Sequence, residues 1–203
     1  MKADKLDTRR RILDTAAELF YREGVRSVGV DRIAAEADVA KMTLYSHFKS
    51  KDELVVAWLR RRDEEWMSWL KGAVERRDGT GLLAVFDAMR EWFEKPDFRG
   101  CAFINAHAEL GWSNPAAAEI VASHKQALTE YLARLARSEG AAEPEALARE
   151  LLLLVEGAIV TASIQRDPRV ADDARGAAAK LIASVGLTPG VSTAAASAAA
   201  AVE

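Results

Sequence analysis

Between Val30 and Lys51 the chain reads VDRIAAEADVAKMTLYSHFKSK, two short helical stretches joined by a tight turn, the second rich in side chains suited to a DNA groove. Lys41, Met42, Thr43 and Ser46 fall at or near the start of that second helix, where side chains reach base edges. Lysine offers donors to guanine acceptors, and Thr43 or Met42 can meet a thymine methyl. Tyr45, His47 and Lys51 follow as donors for phosphate oxygens, contacts that fix register and carry no sequence information. Tyr45 has a second reading, as a ring packed in the core with its hydroxyl outside. His47 has no carboxylate, cysteine or second histidine at ligand spacing on its helix face, which argues against a metal ligand or a catalytic base.

A second group of residues suits a small molecule. Trp58, Trp66, Trp69, Phe86, Met89, Trp92, Phe93, Phe103 and Trp112 concentrate bulky apolar side chains that can line a pocket or simply fill a core. In CAFINAHAEL, the spacing of Asn105, His107 and Glu109 forbids all three from facing solvent together, so at least one is expected to point inward and need a partner. Trp66, Met89, Phe93, Cys101, Asn105 and His107 are the candidate effector contacts, beside the alternative that the polar ones are structural. Two rival functions draw on the same segment: a helical enzyme with Cys101 as nucleophile beside His107 and Glu109, and a protein-partner module. The enzyme lacks an evident base-orienting partner or phosphate-cradling loop. A metal role for Cys101, His107, Glu109 and His124 lacks a tight cluster. No catalytic residue, metal or cofactor is expected.

These residues must be positioned by helices. Apolar residues recur at helical spacing throughout and strand patterns are nearly absent, which predicts an all-α chain of about nine helices. Ile12, Ala16, Leu19 and Phe20 predict a helix over about 7–22, started by Asp7 or Thr8 and closed by Gly24. Val30, Ile33, Ala34 and Ala37 predict the next, and residues 40–48 the third. Ser50 and Glu53 form a capping box that starts a long fourth helix near Lys51. Asp78-Gly79-Thr80-Gly81 is a break before a helix over 82–94, and Gly100 and Gly111 bracket the sixth. Prolines 115, 144 and 168 open the seventh, eighth and ninth, with Asn114 and Asp167 as caps. The eighth, to about Gln165, is apolar over so wide an arc that it must be covered on more than one side. The expected organisation is 1–50, 51–187 and a disordered Ala-rich tail, 188–203.

A chain of 203 residues can bury a large core without disulfides, and its single cysteine fits a reducing compartment. No apolar run reaches the roughly 20 residues of a membrane span, and the N-terminus lacks the apolar core of a secretory signal, so a cytoplasmic location is expected. The net charge of -3 hides an asymmetry: residues 1–62 hold 14 Lys+Arg against 10 Asp+Glu, whereas the rest hold 14 against 21. A basic end on an acidic body suits docking to phosphates.

TRRRILDTAAELFYREG followed by VDRIAAEADVAKMTLYSHFKSKDEL resembles the N-terminal domain of the TetR (tetracycline repressor) family, without a gap from about Thr8 to Leu54. The resemblance implies three helices that bind DNA, with Lys41, Met42, Thr43 and Ser46 toward bases and Tyr45, His47 and Lys51 on the backbone. It further implies a second helical domain that binds a small organic effector and dimerises, here through helices eight and nine, and a palindromic operator read by a homodimer. Repression is the family's commoner mode. Two departures stand out. Asp38 occupies the turn where the family commonly has glycine, and aspartate tolerates a left-handed backbone better than most residues. Asp31 puts an acid on the helix that crosses the DNA backbone.

Overall fold

The computed structural model describes residues 2–77 and 81–188, apart from the side chains of residues 2–4 and Trp112. The expected tail beyond Thr188 and most of the Asp78–Gly81 break lie outside the described residues. Among the described residues the chain is all-α: α1 (Lys2–Glu23), α2 (Val30–Glu36), α3 (Lys41–His47), α4 (Lys51–Glu75), α5 (Gly81–Phe93), α6 (Ala102–Leu110), α7 (Pro115–Ser138), α8 (Pro144–Gln165) and α9 (Val170–Ser184), with one 3₁₀ turn at Gly111–Ser113. No helix among them is long and apolar enough to cross a membrane.

The described residues divide into two compact units, one of residues 2–65 with Cys101–His124, the other of residues 66–77 and 81–100 with residues 125–188. This division by packing differs from an organisation cut at residue 50, because the start of α4 and the whole of α6 go with the first three helices.

In the first unit the predicted stripe of α1 is buried: Ile12, Ala16, Leu19 and Phe20 face Ile33 and Ala34 of α2 and Leu44 of α3, all closed off from solvent. Phe20 meets Trp58 of α4 at 5.4 Å. Ser50 caps α4, accepting the Glu53 N–H on its Oγ at 3.1 Å, and the Glu53 carboxylate reaches back one residue beyond the cap to accept the Lys49 N–H at 2.8 Å. Helix α1 begins five residues before the predicted start, so neither Asp7 nor Thr8 caps it; Asp7 instead pairs with Arg10 within the helix. Buried His124 on α7 stacks on Phe103 of α6 at 3.7 Å and holds Asp63 of α4 at 2.7 Å, a packing role rather than a place in a metal cluster.

In the second unit α5 lies against α8 and α9, burying Leu82, Val85, Phe86 and Met89 with Leu151, Val155, Ile159, Ala178 and Ile182. Glu139 reaches from the end of α7 to cap α5, accepting the Leu82 N–H at 2.5 Å, and burial pushes its carboxyl above the usual range. Gly81 makes room: its φ is +38°, and a Cβ there would lie 1.7 Å from Glu139 Oε1. Asn114 caps α7 as expected, through Ala117 N–H at 3.0 Å. Asp167 does not open α9 directly; it accepts the Arg169 N–H at 2.9 Å and the helix starts at Val170.

Candidate nucleic-acid interface

The turn between α2 and α3 is the first requirement of the site. Asp38 adopts φ 52°, the left-handed conformation that its place in the sequence demands, and the Asp38 and Val39 N–H groups bond back to Ala35 O and Ala34 O. Arg11 of α1 then pins this turn, donating to Ala37 O at 2.8 Å and Asp38 O at 3.5 Å. Leu44 and Phe48 anchor α3 from beneath and are fully buried. The opposite edge is thereby forced outward: Lys41, Met42, Tyr45 and Ser46 are exposed, Met42 at 80%, and Thr43 and His47 are half-buried. Tyr45 is 37% exposed, which leaves its hydroxyl open to solvent.

Sequence reading missed what these side chains do to one another. Lys41 Nζ sits 2.6 Å from Asp31 Oδ1, which raises the lysine's pKa and holds the ammonium toward α2. Ser46 Oγ donates to Thr43 O at 2.7 Å, so its lone pairs face outward and its proton is engaged. His47 sits below the usual imidazole value, first through burial and then through the neighbouring Lys5 and Arg9 of α1. Both effects favour the neutral imidazole. Arg9 also lies over the Phe48 ring at 4.6 Å. Lys5 and Arg9 thus add cations beside α3, and their i, i+4 spacing in the basic start of the chain was the available cue. Lys51 is half-buried, and burial lowers its pKa against the attraction of Glu109 and Asp52.

The candidate effector contacts are divided between the two units. Trp66, Met89 and Phe93 are buried in the second, where Trp66 and Trp92 meet edge to face at 5.6 Å and Met89 is closed in the core. Cys101, Asn105 and His107 belong to the first. Cys101 is buried at the N-cap of α6, whereas Asn105 and His107 are exposed, so the inward polar group of α6 is a different one. It is half-buried Glu109, which accepts the Arg26 N–H at 2.7 Å in the α1–α2 loop and lies against Gly24. Cys101 and Glu109 are eight residues apart, roughly 12 Å along a helix, too far to act together as nucleophile and base.

The family described as "Bacterial regulatory proteins, tetR family" matches residues 12–58, and "Tetracyclin repressor-like, C-terminal domain" matches residues 79–178. The chain belongs to the TetR family. A TetR-family transcriptional regulator from Streptomyces coelicolor is 34% identical, with a TM-score of 0.79 over 88% of this chain and 95% of its own. A TetR transcriptional regulator from Chloroflexus aurantiacus is 26% identical, with a TM-score of 0.77 over 90% and 97%. An HTH-type transcriptional regulator of Staphylococcus aureus is 39% identical over 61 residues, 30% of this chain and 33% of its own, so the chain spans about a third of the length of the curated relatives it matches. As a TetR-family transcriptional regulator the chain carries a DNA-binding helix-turn-helix, whose turn is the left-handed Asp38 between α2 and α3.

The clamp joining α1 to α2 predicts an acid sensitivity of this TetR domain. Hydrogen bonds from Arg32 and then Arg22 hold the Glu23 carboxyl at about 2, below its ordinary 4.5. A folded-state value below the unfolded one contributes stability above the unfolded value that is lost as pH falls from about 4.5 toward 2. Chemical unfolding of wild type should weaken through that window, and Glu23→Gln should remove part of the slope.

Proposed function

We propose that this TetR-family regulator is a homodimeric repressor that reads a palindromic operator and is released by a small organic effector. The observation that carries the reading is the outward edge of α3, with Met42, Thr43, Tyr45, Ser46 and His47 presented beside the cations Lys41, Lys5 and Arg9. Lys41, Met42, Thr43 and Ser46 face bases in this reading, while Tyr45, His47 and Lys51 hold phosphates. The dimer forms through α8 and α9, where Leu153, Val160 and Ile164 form an exposed apolar stripe at spacings of seven and four. Exposed Gly176 and Ala177 on α9 offer small residues for close approach. An effector that shifts the spacing of the two α3 helices unfits them for half-sites one DNA turn apart.

Operator selection from a random DNA pool followed by anisotropy titrations tests this. Lys51→Ala should weaken binding to all duplexes and reduce the salt slope by about 1, whereas Thr43→Val should change sequence preference. Both variants binding the selected operator like the parent would sink the docking model.

Asp31→Asn tests the ion pair on the same face. Freeing Lys41 and removing an acid from a face that meets phosphates should tighten binding by up to about fivefold. Weaker binding, measured by the same titration, would instead make Asp31 the residue that aims Lys41.

A further inference from the structure

Lys5 and Arg9 lie one turn apart on α1, both exposed, and both stand close enough to His47 at the end of α3 to disfavour its charged form. Their charges are not spent on carboxylates. Among the described residues neither has a hydrogen bond or ion pair, and what fixes Arg9 is the Phe48 ring, 4.6 Å from its guanidinium. Phe48 is fully buried, so the core itself holds that cation against the end of α3.

The acids on the surrounding elements are engaged with other groups. On α1 Asp7 pairs with Arg10 at 3.4 Å, on α2 Asp31 holds Lys41 at 2.6 Å, and at the start of α4 Glu53 accepts the Lys49 N–H at 2.8 Å. Lys51 of α4 is drawn toward Glu109 and Asp52, and the Lys49 side chain is exposed. The charges that act on His47 are therefore both positive. Such a cluster repels itself in the free protein, and an anion seated among the three donors relieves it. The source of that anion follows from the length of α3. Seven residues make roughly 10 Å of helix, and a major groove is about 12 Å wide, so a base-reading α3 brings its ends near the phosphates that wall the groove. Lys41 stands at one end, and His47 with Lys5 and Arg9 at the other.

We propose that Lys5, Arg9 and His47 together hold one backbone phosphate of the operator, and that His47 takes up a proton from solvent as that phosphate seats. The inference rests on the DNA reading of α3. Lys5 and Arg9 keep their protons throughout, and the new N–H bond forms on the imidazole. The sign follows from linkage. Burial and two cations favour the neutral ring in the free chain, whereas a phosphate favours the imidazolium, so binding is tighter at low pH and weakens as pH rises. His107 and His124, the other two histidines, both lie outside α1–α3.

Anisotropy titrations of the full chain with a selected operator, at pH 6, 7 and 8 and several salt concentrations, test this. Operator affinity of the parent should fall at least about fivefold from pH 6 to pH 8, and its salt slope should become shallower by up to about 1 as one cation is lost. His47→Gln should bind equally at both ends of that range. Lys5→Gln, at an exposed helical position, should weaken binding to all duplexes and reduce the salt slope by about 1 at pH 8. His47 imidazole resonances, assigned by their loss in His47→Gln, should titrate at higher pH in the operator complex than in the free chain. Operator binding that is independent of pH, a pH dependence that survives in His47→Gln, or a parental salt slope in Lys5→Gln overturns this site and leaves the reading of α3 standing. Failure of any duplex to bind at any pH overturns the reading of α3 and the site with it.

Discussion

Phe48→Ala is expected to destabilise the helix-turn-helix by about 3–5 kcal/mol and to abolish operator binding with it. Phe48 is fully buried, and its N–H closes α3 by donating to Leu44 O at 2.9 Å. Its ring is the floor of the reading helix, with the Arg9 guanidinium 4.6 Å above it, and two residues later the Ser50 cap starts α4. Truncation therefore empties the place where α1, α3 and the start of α4 are joined, and α3 has only seven residues with which to hold itself. Urea unfolding gives the stability loss, and anisotropy with a selected operator gives the binding loss. Phe48→Leu, which keeps most of the volume, should recover much of both. An alanine variant as stable as the parent would mean that Phe48 does not anchor α3.

Legibility in the sequence followed the range of the forces involved. The end points of α8 and the Ser50 cap of α4 are decided by residues within four positions of one another, so spacing reveals them, whereas the left-handed turn at Asp38 is what the family resemblance implies. The spacing of apolar residues starts α1 near Asp7, but a run of good helix formers carries it on toward the N-terminus, to Lys2. The pairing of Lys41 with Asp31 depends on the angle at which two short helices meet, which no periodicity encodes. The inward group of α6 was placed on Asn105 or His107 because helical spacing says only that one of the polar residues turns in; contact with the Arg26 N–H, from a loop 83 residues away, makes it Glu109.

Leu153→Glu combined with Ile164→Glu should turn the protein into a monomer and lower operator affinity by about 10²–10⁴-fold while leaving the affinity for a single half-site unchanged. Both side chains are exposed on α8, at 73% and 75%, so the substitutions disturb nothing within one copy. Across an α8–α9 interface they would bury two unpaired carboxylates per copy, a cost that removing one partner from a buried pair also incurs. None of the DNA-facing residues is touched, and only the advantage of binding two linked half-sites is lost. Sedimentation of the double variant, with titrations against a full operator and an isolated half-site, separates the possibilities. A double variant that still sediments as a dimer would place the interface elsewhere, and a monomer that keeps full-operator affinity would mean that each α3 reads DNA alone.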